Sequence, residues 1–297
     1  MRRLKYLTIA VQIAARKISR YSVSTCRKTG GTHMQIIDMT EAHEAEFLCC
    51  LEEWSDEAKE AGPRRGEWYE SMREKGLRVK LAVDDNGTVG GMIQYAPIEH
   101  THVEGEGLYF VYCIWVHGYK KGRGNYQKQG MGKALLAAAE EDVRGVGGRG
   151  IVVWGIRLPF WMKASWFKKQ GYRPVDRDGV ATLLWKKFRE DVDQPQWIKQ
   201  KKKPGMTPGK VTVTSFVNGW CMAQNIVHER AMRAVEEFGD QVEYQVLNTF
   251  GEEVFEEWGI VDALYIDGKR INTGPPPPYE KIRKKIARRV KAVSSAH

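Results

Sequence analysis

Apolar residues recur along this chain in two rhythms, and the switches between them outline two successive α/β units. A helical pattern begins at Thr40, a candidate N-cap. Glu41 and Glu44 fall in its first turns, Phe47, Leu48 and Leu51 on its apolar side, and Gly62-Pro63 is expected to end it. Residues 79–83 and 89–95 read as strands joined through Asp84-Asp85-Asn86-Gly87, where Asn-Gly is a strong hairpin signal. Residues 108–116 are nearly all β-formers and predict a buried central strand. A polar, Gly-rich loop follows from His117. Beyond it the pattern predicts a helix over 131–143, a strand over 151–154, a helix over 161–169 and a last strand over 182–187. Strands around a crossover helix are the mark of an α/β unit.

Residues 191–209 break the periodicity with Pro195, Pro204 and Pro208 among lysines, the composition of a linker. The pattern then restarts with a strand over 210–217, a helix over 221–238, a strand over 242–247 and a short helix over 252–258. Strands over 263–266 and 269–271 flank Asp267-Gly268, and a helix over 279–293 closes the chain. The expected organisation is an extension (1–33), a first domain (34–190), a linker (191–209) and a second domain (210–297).

Charge changes this picture only at the front. Eight of the basic side chains behind the net charge of +10 lie in residues 1–33, where no acid occurs, leaving +2 for the rest. Leu4, Leu7, Val11, Ala14 and Ile18 share one helical face there, the pattern of a mitochondrial transit peptide. The reading we favour is a start at Met34, just ahead of the strand-like Gln35-Ile36-Ile37, with a cytoplasmic protein as the outcome. The basic clusters at 199–203 and 281–291 carry no base-reading motif and no spaced aromatic platform, so no nucleic-acid partner is expected. No membrane partner is expected either: the apolar stretch 7–15 is interrupted by Thr8 and Gln12 and falls short of the roughly 20 residues a span needs. Five cysteines (26, 49, 50, 113 and 221), odd in number and without a C-x-x-C pair, argue against a disulfide framework or a metal site.

The segment with the most chemical content is Gln127-Lys128-Gln129-Gly130-Met131-Gly132-Lys133, between the central strand and the helix. Glycines there let backbone N–H groups turn toward one point, and the helix N-terminus adds its dipole, which makes an anion site. A P-loop would need Gly at position 127 and Ser or Thr at 134, where Gln127 and Ala134 stand. A dinucleotide fingerprint would need Gly where Gln127 follows Gly122-Arg123-Gly124. What remains is Q-x-x-G-x-G, which resembles the coenzyme A pyrophosphate loop of the GNAT N-acetyltransferases. Two further segments extend the likeness over residues 34–188. Cys113-Ile114-Trp115-Val116 matches the family's central strand where it splays from its neighbour, and residues 164–172 match its F-Y-x-x-x-G-F segment.

The resemblance implies the GNAT α/β fold, acetyl-CoA as cosubstrate, and a small-molecule or peptide amine as acceptor. It implies backbone contacts to acetyl-CoA from Ile114, Trp115 and Val116 and from Gln127, Lys128, Gln129, Gly130, Met131, Gly132 and Lys133. Glu104 and Glu106, ahead of the central strand, and His117, at its far end, are the candidates for general base. Two departures stand out: Lys120 to Asn125 is an insertion, and the family's frequent tyrosine acid falls on Phe167. The second domain resembles the thioredoxin-like part of fused acetyltransferases with a YoaP-type C-terminal domain. Trp220-Cys221-Met222-Ala223-Gln224 stands where Trp-Cys-x-x-Cys would, with Gln224 in the resolving position. A helix N-terminus is expected to lower the pKa of Cys221 and make it the most available thiol, with a role in transfer as one reading. The alternative to transfer is a non-catalytic CoA-binding protein, or one that captures a thiol or soft-metal ligand on Cys221.

Overall fold

The computed structural model describes residues 34–157, 161–271 and 276–295. The extension 1–33, with Cys26, lies outside the described residues, and the expected transit-peptide helix with it. In chain order the first unit contains β1 (Met34–Asp38), α1 (Glu44–Leu48), α2 (Asp56–Arg73), β2 (Arg78–Asp84), β3 (Val89–Pro97), β4 (Val103–Glu104) and β5 (Leu108–Val116). It continues with α3 (Met131–Gly145), β6 (Gly150–Ile156), α4 (Ala164–Lys169), β7 (Arg173–Asp178) and β8 (Ala181–Lys187). Seven strands form one sheet in the order β1-β2-β3-β5-β6-β8-β7, antiparallel except for the β5–β6 pair that α3 connects.

Each face of this sheet buries a different set of side chains. On one, Met131, Leu135, Leu136, Ala139 and Val143 of α3, spaced to share a helical stripe, pack on Ala82, Ile93, Val111, Ile151 and Val153. On the other, Phe47 of α1 and Trp68, Tyr69 and Met72 of α2 cover Leu81, Met92, Phe110 and Val152. The hairpin between β2 and β3 forms as expected. Asp84 Oδ1 accepts from the backbone N–H groups of Asn86 (2.9 Å) and Thr88 (2.8 Å), and Gly87 takes φ 78°.

Two expectations fail here for identifiable reasons. The helix from Thr40 does not end at Gly62-Pro63. It breaks earlier, where Cys50 and Leu51 adopt φ 55° and 60°, and α2 then runs through Pro63. An internal proline costs a helix about 3 kcal/mol. Burial of Ala58, Ala61, Arg65, Trp68, Tyr69 and Met72 along α2, together with the Ser55 cap, offsets that. Strand β7 went unread because it is an edge strand with mostly exposed side chains, so no alternation marks it.

The stretch read as a linker is not a free tether. It contains β9 (Gln196–Trp197), which pairs antiparallel with β4, and Trp197 stacks on His102 with ring centroids 5.6 Å apart and an interplanar angle of 11°. Beyond it come β10 (Val211–Val217), α5 (Met222–Glu236), β11 (Val242–Asn248), α6 (Glu252–Trp258), β12 (Ala263–Ile266), β13 (Lys269–Arg270) and α7 (Tyr279–Ser294). Their sheet runs β11-β10-β12-β13, with β10 and β11 parallel. Val227, Ala231 and Ala234 of α5 and Ile282 and Ile286 of α7 bury one face of it.

The two units meet along α2 and α5. Glu57 receives both guanidinium arms of Arg230 at 2.7 and 2.6 Å, Arg233 reaches Glu60 at 3.3 Å, and Met222 is buried against Ala58 and Ala61. Arg65, 1% exposed, donates to the carbonyls of Phe47 (3.0 Å) and Trp220 and to Gln94 (2.7 Å), so one buried guanidinium ties α1, β3 and the second unit. No helix among the described residues is long and apolar enough to cross a membrane.

Candidate active site

The sheet opens at its centre. β5 and β6 pair from Leu108↔Gly150 to Val111↔Val153 and then stop, although β5 continues to Val116 and β6 to Ile156. The cause lies one residue further on. A bulge in the β3–β5 register leaves Tyr112 unmatched, between Tyr95↔Val111 and Gln94↔Cys113. Tyr112 and Cys113 therefore both face the α2 side, Trp115 follows them, and Ile114 and Val116 turn to the α3 side. From Tyr112 onward the edge of β5 that had faced β6 no longer pairs with it. Ile114, Trp115 and Val116, the expected strand contacts to acetyl-CoA, thus line an opening.

The Gln127–Lys133 segment arrives at the same place. Lys128 (φ 65°) and Gly130 (φ 84°) adopt left-handed backbone, and Gly130 is the N-cap of α3. Gln127 N–H is held by Asn125 Oδ1 at 3.0 Å, and Gln129 Nε2 by the Asn125 carbonyl at 2.9 Å. No acid sits in the first turn of α3, so nothing there competes with an anion for its N–H groups and dipole. Gly132 is decisive for the geometry. A Cβ placed on it would lie 3.7 Å from Val116 Cγ2 and 3.7 Å from Trp166 Cζ2. The end of β5, the start of α3 and helix α4 thus converge on one point, and no protein atom requires Gly132 to lack a side chain.

The base candidates from sequence do not survive this placement. Glu104 lies in β4, exposed and bonded to Gln196, and Glu106 is exposed in the turn that follows. Both precede the N-terminal end of β5, about 26 Å of strand away from Val116. His117 is at the right end but fully buried, and both ring nitrogens are occupied. Nε2 accepts from Trp54 Nε1 at 3.3 Å, and Nδ1 lies 2.6 Å from the Gly124 carbonyl. With Nδ1 donating and Nε2 accepting, the ring pins the Lys120–Asn125 insertion and has no free lone pair for a substrate proton.

A different carboxyl lies near this end of β5, close enough to His117 and Tyr119 to interact with both. Glu52 lies in the α1–α2 connection, half-buried, and burial pushes its pKa up, with His117 opposing. Tyr119, just past β5, completes an aromatic mouth, its ring 6.0 Å from Trp54 and 6.2 Å from Trp115. The Lys121 ammonium rests 4.8 Å over Trp54. Sequence reasoning missed Glu52 because no spacing pattern links the α1–α2 connection to a loop more than sixty positions later.

Phe167 is fully buried against Trp166 and Tyr172, so the departure from the family tyrosine leaves apolar packing at that spot. Tyr172 does not replace it: its hydroxyl donates to Glu140 at 3.0 Å and it is 2% exposed. Cys221 corrects another expectation. It is the N-cap of α5, but burial pushes its thiol up to about 12, outweighing the Gln224 N–H that favours the thiolate. Burial also holds the Cys50 thiol at about 11 and that of Cys113 well above the ordinary range. Burial thus opposes the thiolate that the helix N-terminus would favour, and with it both nucleophilic attack and ligand capture at Cys221. Among the described residues, no group of three or more His, Cys, Asp or Glu side chains is placed to hold a metal ion.

Comparison with known proteins finds similarity over the first unit. Residues 38–172 match the Acetyltransferase (GNAT) family. Similar solved structures include a GNAT acetyltransferase from Brucella melitensis in complex with acetyl-CoA (22% identity, 56% of this chain and 93% of the other, TM-score 0.37). Others are YhbS from Escherichia coli in complex with CoA (15%, 58% and 93%, TM-score 0.41) and the PaiA N-acetyltransferase from Thermoplasma acidophilum in complex with coenzyme A (15%, 52% and 99%, TM-score 0.39). No curated protein matches the chain. Over residues 38–172, a little under half of its length, the chain is similar to the acetyltransferases of the GNAT family.

Proposed function

We propose that the protein transfers an acetyl group from acetyl-CoA to a primary amine, by direct attack within a ternary complex. The observation that carries this reading is the convergence of Val116, Gly132 and Trp166 beside the parted β5 and β6. Backbone N–H groups over Gln127 to Lys133 hold the pyrophosphate, as the acid-free first turn of α3 supports. Acetyl-CoA supplies an activated thioester. The unpaired edge of Ile114, Trp115 and Val116 binds the pantetheine arm and offers a backbone N–H to polarise the carbonyl.

Only the neutral amine attacks, so a proton must leave the ammonium first. Glu52, at the aromatic mouth of Trp54, Trp115 and Tyr119, takes that proton directly or through water. A carboxyl whose pKa is raised by burial is a better base near neutral pH than an ordinary one. With Phe167 where the family has its tyrosine, the departing thiolate is protonated from solvent. The second unit is read as a thioredoxin-like, YoaP-type domain, supported by its strand order β11-β10-β12-β13 around α5. With Gln224 in the resolving position and Cys221 buried, it runs no dithiol cycle.

An acceptor screen with acetyl-CoA, read as free thiol released, tests the transfer. Amine-dependent release supports it. Acetyl-CoA binding without release for any amine, peptide or small molecule contradicts it.

A further inference from the structure

The loop of the second unit that follows β10 reaches the opening between β5 and β6 from the α2 side. Trp220 packs its ring 5.7 Å from Tyr112 and 6.0 Å from Trp154, the residues at the parting of the two strands. Its seat is built rather than incidental. The Trp220 carbonyl accepts from Arg65 and from Gln94 Nε2 (3.4 Å), both buried in the first unit. Gly219 before it has φ 94°, and a Cβ there would lie 2.6 Å from the Arg64 carbonyl, so only glycine lets the loop come this close.

The chemistry around that seat is one-sided. The indole N–H groups of Trp115 and Trp220 are buried without a hydrogen-bond partner, and Trp220 is 7% exposed. Buried donors left unpaired cost free energy that a ligand oxygen would recover. Arg65, behind Trp220, bonds to the Phe47 and Trp220 carbonyls and to Gln94, with no carboxylate among these hydrogen-bond partners. The remaining walls are aromatic, with Trp154 5.2 Å from Trp161. Unpaired N–H donors, a buried guanidinium bonded to no carboxylate and flat apolar walls together suit a carboxylate on an aromatic body.

We propose that the second unit completes the acceptor site, and that the acceptor is a primary amine bearing a carboxylate on a flat apolar body, the carboxylate held by the Trp220 indole N–H. This rests on acetyl transfer taking place at the β5–β6 opening.

The test uses the full chain with two matched pairs of acceptors that differ only in the carboxylate: L-phenylalanine against 2-phenylethylamine, and L-tryptophan against tryptamine. Thiol release at saturating acetyl-CoA should favour each amino acid over its amine by about tenfold or more in kcat/KM, the size of one hydrogen bond to a charged group. Trp220→Phe keeps an aromatic ring at the seat and removes the donor together with the pyrrole part of the indole. It should cut that preference about tenfold while the acetyl-CoA Kd, from calorimetry, stays within about twofold. Equal use of amino acid and amine by the wild type, or an unchanged preference in Trp220→Phe, overturns the proposal. Normal acetyl-CoA binding with no turnover of either amino acid overturns it alone. Failure of the wild type to bind acetyl-CoA overturns the transfer reading, and this one with it.

Discussion

The Trp154 indole N–H donates to the Tyr112 carbonyl at 2.8 Å, across the place where β5 and β6 cease to pair. A side chain thus satisfies the bulge residue that parts the strands, and the opening is held without a ladder hydrogen bond. Replacing Trp154 by Phe keeps much of the ring packing and orphans the carbonyl. We expect Trp154→Phe to lower the free energy of unfolding by about 1–3 kcal/mol, measured by chemical denaturation. Wild-type stability would show that the bond does not hold the opening.

Gly132 separates a requirement of the fold from one of the ligand. A Cβ there meets only ordinary contacts at 3.7 Å, so Gly132→Ala should fold with a melting temperature close to wild type. The same methyl group projects into the space assigned to CoA, and the acetyl-CoA Kd should rise at least about tenfold. Unchanged affinity would move the site elsewhere.

Glu52 should set the acid limb of the pH profile. Burial raises its pKa, so on acidification the carboxylate is protonated, and activity lost, at a higher pH than an ordinary glutamate would give. Glu52→Gln should lower kcat by about 10²–10⁴-fold and flatten that limb, with acetyl-CoA affinity preserved. Glu104→Gln and Glu106→Gln should leave the limb in place. A limb that persists in Glu52→Gln assigns the proton transfer to another group.

Thiol reactivity should follow burial rather than helix position. Burial raises the pKa of all three thiols, but Cys49 is partly exposed whereas Cys113 and Cys221 are buried. Limited alkylation of the native chain, mapped by mass spectrometry, should label Cys49 ahead of Cys221. Modification of Cys221 first would contradict the packing of the two units around Trp220.

Much of the fold was legible because its elements bury one face each. The apolar run of β5 and the stripe of α3 announced the crossover, and Asp84 to Gly87 announced its hairpin. Elements without such a stripe were not: β7 is an exposed edge, and α2 hides its continuity behind Gly62-Pro63. The left-handed turn into α3 was legible because glycine spacing is a local constraint. The proposed proton-transfer group was not, because Glu52 gains its environment from His117 and Tyr119, which only the folded chain brings near. Cys221 misled for a related reason. Sequence shows the helix start that favours a thiolate but not the first-domain surface that buries it.

The most direct test of the central claim is calorimetric titration of the full chain with acetyl-CoA, beside Gly130→Asp. That substitution puts a carboxylate on the left-handed N-cap of α3, against the pyrophosphate. We predict saturable one-site binding with a Kd of about 1 μM, or some −8 kcal/mol, by the wild type and none by the variant. Absence of binding by the wild type, or equal affinity in Gly130→Asp, would contradict the assignment of residues 127–133 as the coenzyme A loop.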